Sequence, residues 1–121
     1  MTKDYYEFFC PVKVVAGNAA LEHIPYELNT LAASRPLIIT DKGVRGAGLI
    51  DHVLNAFRES EMEVADIYDN VPPDSSTHVV KDIARVYREK KCDSIIAIGG
   101  GSVIDTSKGV NILVSENGND L

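Results

Sequence analysis

Short apolar runs alternate with longer segments of helical spacing along most of the chain. Two of the runs, at residues 37–40 and 94–98, predict buried strands. Residues 63–68 are predicted to form another strand. Between them, apolar residues recur every three or four positions, which is typical of one face of an amphipathic helix. This spacing predicts helices over residues 18–34, 49–60, 76–91 and 102–114.

The buried face of each predicted helix follows from the same spacing. Pro25 lies inside the first helical segment and predicts either a kink or a helix that begins there, because proline suits a first helical position. Residues 41–48 are predicted to be a glycine-rich connection and residues 70–75 a loop. The predicted buried positions are Leu21, Ile24, Leu28 and Leu31, then Leu49, Val53 and Phe57, then Val79, Val80, Ile83, Val86 and Tyr87, and finally Val103, Ser107, Val110 and Val114.

The first 17 residues have a different pattern. Residues 5–15 are rich in aromatic and β-branched types, and Gly17 closes the segment, so an extended arm or hairpin is predicted. From residue 18 onward, strands alternate with helices, which predicts a parallel α/β sheet with right-handed crossovers. Ligands of such sheets lie at the carboxyl ends of the strands. Asp41 and the segment 99–102 both follow predicted strands, and they are therefore the first candidates for a site.

Composition narrows the classes of function. A chain of 121 residues with 45% apolar residues favours one folded domain. Its net charge of −6 argues against nucleic acid as a partner. No apolar run is long enough to cross a bilayer, and residues 1–7 do not resemble a signal peptide, so a cytoplasmic protein without membrane contact is expected. Cys10 and Cys92 are expected to be buried, reduced thiols, and the scattered His23, His52 and His78 predict no metal site.

Three glycines in a row carry the clearest chemical signal. Gly99, Gly100 and Gly101 follow a strand and lead, through Ser102, into a helix. Glycine allows close approach of the backbone, and the free N–H groups of a helix N-terminus attract anions such as a pyrophosphate. The usual dinucleotide fingerprint is not met, because Ile104 stands where its third glycine would be. A tight strand-to-helix turn without a ligand is the alternative.

Four other polar residues have two interpretations each. Ser102 and Asp105 have the spacing of a capping box, and capping is compatible with contact to a ligand. Lys108 is either a ligand contact or a solvated surface charge. Asp41 either accepts the hydroxyls of a ribose, which would favour NAD over NADP, or caps the turn that follows it.

The segment 99–108 closely resembles a motif of the iron-containing (group III) alcohol dehydrogenases, GGGSxxDxAK, with Ser107 in place of the usual alanine. Residues 37–43 resemble the strand and turn of that family that reads LIVTDKG, and Pro11 and Gly17 match its opening segment. Residues 73–76 depart from its PNPT loop, which lies on the adenine side of the cofactor in that family. The resemblance covers nearly the whole chain.

This resemblance implies a Rossmann-like cofactor domain and NAD(P)-dependent oxidation of small alcohols or reduction of aldehydes. It implies that Gly99, Gly100, Gly101 and Ser102 bind the pyrophosphate, that Asp41 binds the adenosine ribose, and that Asp105 and Lys108 lie near the nicotinamide half. In the full enzyme, a second, helical domain would hold Fe(II) or Zn as a Lewis acid toward the alcohol oxygen. A homo-oligomer is also implied.

The resemblance further implies that residues 1–121 are a partial cofactor domain, with an arm at 1–17 and α/β units at 18–121, cut before the metal-binding domain. Such a chain is expected to be inactive alone. Two alternatives stay open: a non-catalytic fragment that binds nucleotide or associates with itself through an unpaired sheet edge, and a fragment of a zinc enzyme of the glycerol dehydrogenase type.

Overall fold

Three parallel strands form the centre of the fold. The computed structural model describes residues 20–73 and 77–115. The strands are β1 (Pro36–Ile39), β2 (Asp66–Tyr68) and β3 (Ser94–Ala97), in the spatial order β2-β1-β3. A 3₁₀ turn (Ala20–His23) leads into α1 (Ile24–Thr30), and the other helices are α2 (Lys42–Gly46), α3 (Leu49–Arg58), α4 (Thr77–Glu89) and α5 (Gly101–Ser115). The predicted parallel α/β sheet is confirmed.

The central strand β1 joins the two halves of the core. Its side chains alternate between the two faces of the sheet, and all four of its residues are buried. Leu37 and Ile39 pack with buried residues of α4 and α5, whereas Ile38 packs with those of α1 and α3. Pro36 is tolerated because proline suits the first residue of a strand. The strand therefore fixes the positions of the layers on both faces.

Prediction of the helices is most accurate where one face is fully covered. In α4 the buried residues Val80 and Ile83 were predicted, with Val79, Val86 and Tyr87 partly buried beside them. In α5, Val103, Ser107 and Val110 are buried as predicted. The covered face of α5 also includes Thr106 and Leu113, because α5 packs along α4.

Two exposed leucines contradict the predicted buried positions of the first helix. Leu21 and Leu31 are 43% and 74% exposed. The segment is also not one helix: the 3₁₀ turn ends at His23, Pro25 lies in the first turn of α1, and the helix stops at Thr30. Ala32 has a positive φ of 59° and turns the chain toward β1, so the helical period does not continue to Leu31.

The connection after β1 is also different from its prediction. Residues 42–46 form the short helix α2, capped by Asp41, where an irregular glycine-rich connection was expected. In α3, which begins after a left-handed Gly48, Val53 and Phe57 are buried as predicted, but Leu49 is 46% exposed and Ile50 is buried in its place. The predicted arm at residues 1–17 lies outside the described residues.

The Asp93 side chain links the beginning of β3 to the beginning of β1 by hydrogen bonds. Its carboxylate accepts hydrogen bonds from the N–H groups of Ser34 and Arg35, each at 2.9 Å, and from the Ser94 hydroxyl at 2.9 Å. Burial by itself raises the pKa of the Asp93 carboxyl, but these hydrogen bonds outweigh burial and hold it below the usual 3.8. The pairing of β1 with β3 thus depends partly on an ionised side chain.

We expect Asp93→Asn to lower the free energy of unfolding by about 1 kcal/mol at pH 7, because the amide NH₂ faces a backbone N–H that the carboxylate accepted. A lowered pKa means that the contribution is complete above the pKa of the unfolded chain and is lost as the pH falls through the folded value. Urea unfolding at pH 7 and at pH 3.5 should show a smaller difference at the lower pH. Ser94→Ala is the control, since it keeps both backbone contacts. A difference that grows on acidification would contradict this account.

Candidate functional site

A cleft of about 610 Å³ opens at the carboxyl edge of the sheet. Its walls come from the three segments that follow β1, β2 and β3, which is where an α/β sheet binds its ligands. The cleft is lined by Asp41, Lys42, Gly43, Asn70, Val71, Pro72, Pro73, Gly100, Gly101, Ser102 and Val103. The structure therefore brings together the two features that sequence analysis placed at this edge.

Two hydrogen bonds hold the start of the glycine segment in place. The Ile98 N–H donates to the Ile39 carbonyl at 3.0 Å, and the fully buried Thr40 hydroxyl donates to the Ile98 carbonyl at 2.6 Å. A Cβ on Gly99 would lie 2.7 Å from Cγ2 of Val103, which is itself buried. Glycine at this position lets the turn lie directly against α5.

The next two glycines face open space. A Cβ on either Gly100 or Gly101 would meet no atom within 4 Å. The Gly100 carbonyl accepts from the Ile104 N–H at 3.0 Å, so α5 begins here and the N–H groups of its first turn have no partner within the helix. These donors, together with the positive end of the helix dipole, make the cleft suited to an anion.

Ser102 does not form the predicted capping box. It lies inside the first turn of α5, and its hydroxyl donates to the Pro73 carbonyl. Asp105 is exposed, and its side chain caps no N–H group of the described residues. The reason is that the helix begins at Gly101, one residue earlier than predicted, which moves Ser102 out of the capping position. Its hydroxyl instead fastens the segment after β2 to α5.

Asp41 occupies the opposite wall. Its Oδ1 accepts from the Val44 N–H at 2.8 Å and caps α2, so the interpretation as a cap is confirmed. One carboxylate oxygen is used in this way, and Oδ2 makes no hydrogen bond with the described residues. Capping is therefore compatible with a ligand contact from the second oxygen.

Asp69 lies directly after β2 and pairs with two cations of α2. The Lys42 ammonium is 3.3 Å from Oδ1, and the Arg45 guanidinium is 2.7 Å from Oδ2. Burial by itself raises the pKa of the Asp69 carboxyl, but the hydrogen bonds from Arg45 and Lys42 outweigh it and lower the pKa. The ionised carboxylate joins the end of β2 to α2 and so fixes this wall of the cleft.

Asp105 and Lys108 do not line the cleft. Both are exposed on the outer side of α5, away from the buried face formed by Val103, Ser107 and Val110. The geometry thus separates the predicted site residues into two groups. One cavity is lined by Asp41, Gly100, Gly101 and Ser102. Gly99 lies against Val103, which also lines the cavity, and Asp105 and Lys108 are outside it.

Sequence analysis missed several lining residues. Asn70, Val71 and Pro72 were assigned only to a loop, and Lys42 and Gly43 only to a connection. The rule that identified Asp41 also applied to them, because they too follow the carboxyl ends of strands. The role of Thr40 had no comparable signal, since its hydroxyl acts on Ile98, 58 residues further along the chain.

Thiol and metal chemistry have little support in the part of the chain that is described. Cys92 is half-buried and unpaired, and burial raises the pKa of its thiol, which keeps it protonated and unreactive at neutral pH. Cys10 lies outside the described residues. Across residues 20–73 and 77–115, no group of three or more His, Cys, Asp or Glu side chains could hold a metal ion. None of the helices described is both long and apolar enough to span a membrane.

Comparison with known proteins gives a consistent family. Residues 11–121 match the family described as iron-containing alcohol dehydrogenase. The NAD-dependent methanol dehydrogenase of Bacillus methanolicus is 32% identical over 92% of this chain and 29% of its own length. The 1,3-propanediol dehydrogenase of Klebsiella pneumoniae is 32% identical over 98% of this chain and 31% of its own length.

A solved structure supports the same relationship. The crystal structure of a 1,3-propanediol oxidoreductase superimposes with a TM-score of 0.79 and 37% identity, over 87% of this chain and 27% of that one. The chain thus spans less than a third of the length of each of these three proteins.

Proposed function

The chain belongs to the iron-containing alcohol dehydrogenase family, and we propose that its cleft binds the adenosine ribose and pyrophosphate of a nicotinamide dinucleotide. The observation that carries this proposal is the convergence of Asp41 and the glycine segment on one cavity at the carboxyl edge of the sheet. A dinucleotide needs an anion site beside a hydroxyl acceptor, and the two walls supply one each. The NAD-dependent methanol dehydrogenase among the relatives supports the choice of cofactor.

The pyrophosphate fits the glycine wall. The space in front of Gly100 and Gly101 is empty to at least 4 Å from where a side chain would begin. The N–H groups in the first turn of α5 point out of the helix end and donate to phosphate oxygens. Ser102 contributes its N–H group, while its hydroxyl is already engaged with Pro73. Glycine is needed here because a side chain would occupy the volume of the phosphates.

The ribose fits the Asp41 wall. With Oδ1 held by the Val44 N–H, the other carboxylate oxygen accepts from a ribose hydroxyl. The same negative charge repels a 2′-phosphate, so we propose NAD as the preferred cofactor over NADP. Asp105 and Lys108 lie outside the cleft, on the exposed side of α5. We propose that they contact only the nicotinamide half of the cofactor.

For the whole enzyme, we propose NAD-dependent interconversion of a small alcohol and its aldehyde, in which a bound nicotinamide would supply the acceptor for the hydride of the alcohol carbon and the hydroxyl proton would leave to solvent. The described residues do not fit a metal centre, and we assign no step to one. They bind and orient the dinucleotide, and we propose that without further residues they do not oxidise alcohols. Iron as the metal, and assembly as a homo-oligomer, stay predictions, as does the alternative of a zinc enzyme of the glycerol dehydrogenase type.

We expect calorimetric titration to show tighter binding of NADH than of NADPH, by roughly tenfold or more. Asp41→Asn should reduce this preference to less than about threefold, because it removes the charge that repels the 2′-phosphate. The variant should keep its melting temperature, since asparagine caps a helix as well as aspartate does. Absence of binding of both dinucleotides would overturn the proposal, and an unchanged preference in the variant would remove Asp41 from it.

A further inference from the structure

Two cations lie beside the candidate ribose site, and both are held by one carboxylate. Lys42 and Arg45 belong to α2, whose cap is Asp41. Each carboxylate oxygen of Asp69 binds one of them. Oδ1 accepts a hydrogen bond from the Lys42 ammonium at 3.3 Å, and Oδ2 accepts one from the Arg45 guanidinium at 2.7 Å. The Asp69 side chain is only 25% exposed, while those of Lys42 and Arg45 are 71% and 47% exposed. The anion is therefore the sheltered member of the cluster.

The placement of these cations has a chemical consequence for the ribose. In a dinucleotide-binding sheet, the group that distinguishes NADP from NAD is a phosphate on the ribose 2′-oxygen, and an arginine near that oxygen accommodates it. Arginine and lysine beside Asp41 are the side chains that such a phosphate would attract. Lys42 already lines the cleft, and Arg45 is one helical turn further along α2.

We propose that Asp69 is a specificity-determining residue that withholds Lys42 and Arg45 from the 2′-phosphate of NADP. This inference rests on the proposed function of the cleft. Asp41 disfavours the phosphate by direct repulsion, whereas Asp69 acts at a distance by occupying the cations that would otherwise bind it.

The alternative role for Asp69 is purely structural. Its two ion pairs tie the end of β2 to α2, and losing them would loosen the wall that carries Asp41. A loosened wall would weaken both cofactors through the ribose and pyrophosphate that they share, and a displaced Asp41 would also repel the 2′-phosphate of NADPH less. The dependence of the affinity ratio on Arg45 therefore distinguishes the two roles: a shift that needs Arg45 indicates the specificity role, and a shift that persists without Arg45 indicates the structural role.

The test compares this chain with its Asp69→Ala, Asp69→Asn and Asp69→Ala/Arg45→Ala variants. Each is titrated with NADH and NADPH, with circular dichroism as the check on folding. We expect Asp69→Ala to shift the affinity ratio toward NADPH by roughly five- to tenfold at low salt. The double variant should lose most of that shift, and 0.5 M salt should reduce it by screening. Asp69→Asn, which keeps the shape and loses the charge, should shift the ratio in the same direction.

The outcomes separate this inference from the proposed function. If NADH binds the unchanged chain and Asp69→Ala leaves the ratio as it was, Asp69 has no role in specificity, while the cofactor site stands. An equal loss of both affinities, or a shift of the ratio that persists in the double variant, assigns Asp69 a purely structural role and overturns the inference. If neither cofactor binds to any variant, the proposed function fails and the inference fails with it.

Discussion

Replacing Gly99 with alanine is expected to lower the free energy of unfolding by about 2–3 kcal/mol. The new Cβ would lie 2.7 Å from Cγ2 and 2.9 Å from Cβ of Val103, distances at which something must move. Val103 is 1% exposed and belongs to the core formed with α4 and β1, so it has no free space to enter. Either α5 shifts away from the sheet or the turn at Gly99 opens, and both lose buried contacts.

Urea unfolding followed by circular dichroism would measure this change. Gly100→Ala is the matched control, because a Cβ at Gly100 meets no atom within 4 Å and adds no clash. Its stability should stay within about 1 kcal/mol of that of the unchanged chain. Equal destabilisation by the two variants would show that loss of glycine, and not contact with Val103, is responsible.

Gly101→Val is expected to have the opposite profile, with binding lost and stability kept. The side chain at Gly101 would project into the cleft, where we place the pyrophosphate. It would both fill the space and keep the phosphates away from the N–H groups of α5. We expect the affinity for NADH to fall by on the order of 100-fold, which corresponds to about 2.7 kcal/mol.

A fluorescence titration with NADH would measure the loss, and the melting temperature would show whether the fold is intact. Gly101→Ala should have an intermediate effect on binding, because a single methyl group takes less of the same space. A normal NADH affinity in Gly101→Val would remove the glycine wall from the site. A large fall in melting temperature would mean that the cleft is not open at this position.

Together, the two glycines show how one motif serves two purposes. Gly99 allows the sheet and α5 to pack closely, and its removal should affect the unfolding equilibrium. Gly101 keeps the mouth of the cleft free, and its removal should affect only the ligand. Sequence analysis treated the three glycines as equivalent, because their differences depend on Val103 and on open space rather than on neighbouring residues.

The predictions from sequence were most reliable where local periodicity and tertiary burial agree. The faces of α4 and α5 were recognised because their apolar residues pack against β1 or against each other over most of the length of the helix. The joint position of Asp41 and the glycine segment was also predictable, since parallel strands bring their carboxyl ends to one edge. Neither inference required knowledge of a particular contact.

Contacts that are distant in sequence account for most of what was missed. Ser102 was assigned a role within its own helix, but its hydroxyl reaches Pro73, 29 residues earlier. Asp69 carried no motif, and its importance appears only when α2 brings Lys42 and Arg45 to it. Ser107, which replaces the alanine of the family motif, has a buried hydroxyl without a hydrogen-bond partner among the described residues. Alanine at this position would bury no polar group, so the departure from the motif has a local energetic cost.

The most direct test of the central claim is a map of the NADH contacts on the chain itself, obtained from the amide signals of ¹⁵N-labelled protein during titration with NADH. We predict the largest shifts on both walls of the cleft, at residues 100–103 on one side and at residues 41–43 and 70–71 on the other. Amides at the opposite edge of the sheet, such as those of Asn29 and Glu61, should hardly move. Shifts confined to another surface, such as the groove between α4 and α5 lined by Lys81 and Arg85, or no shift at Gly100 and Gly101, would contradict the claim.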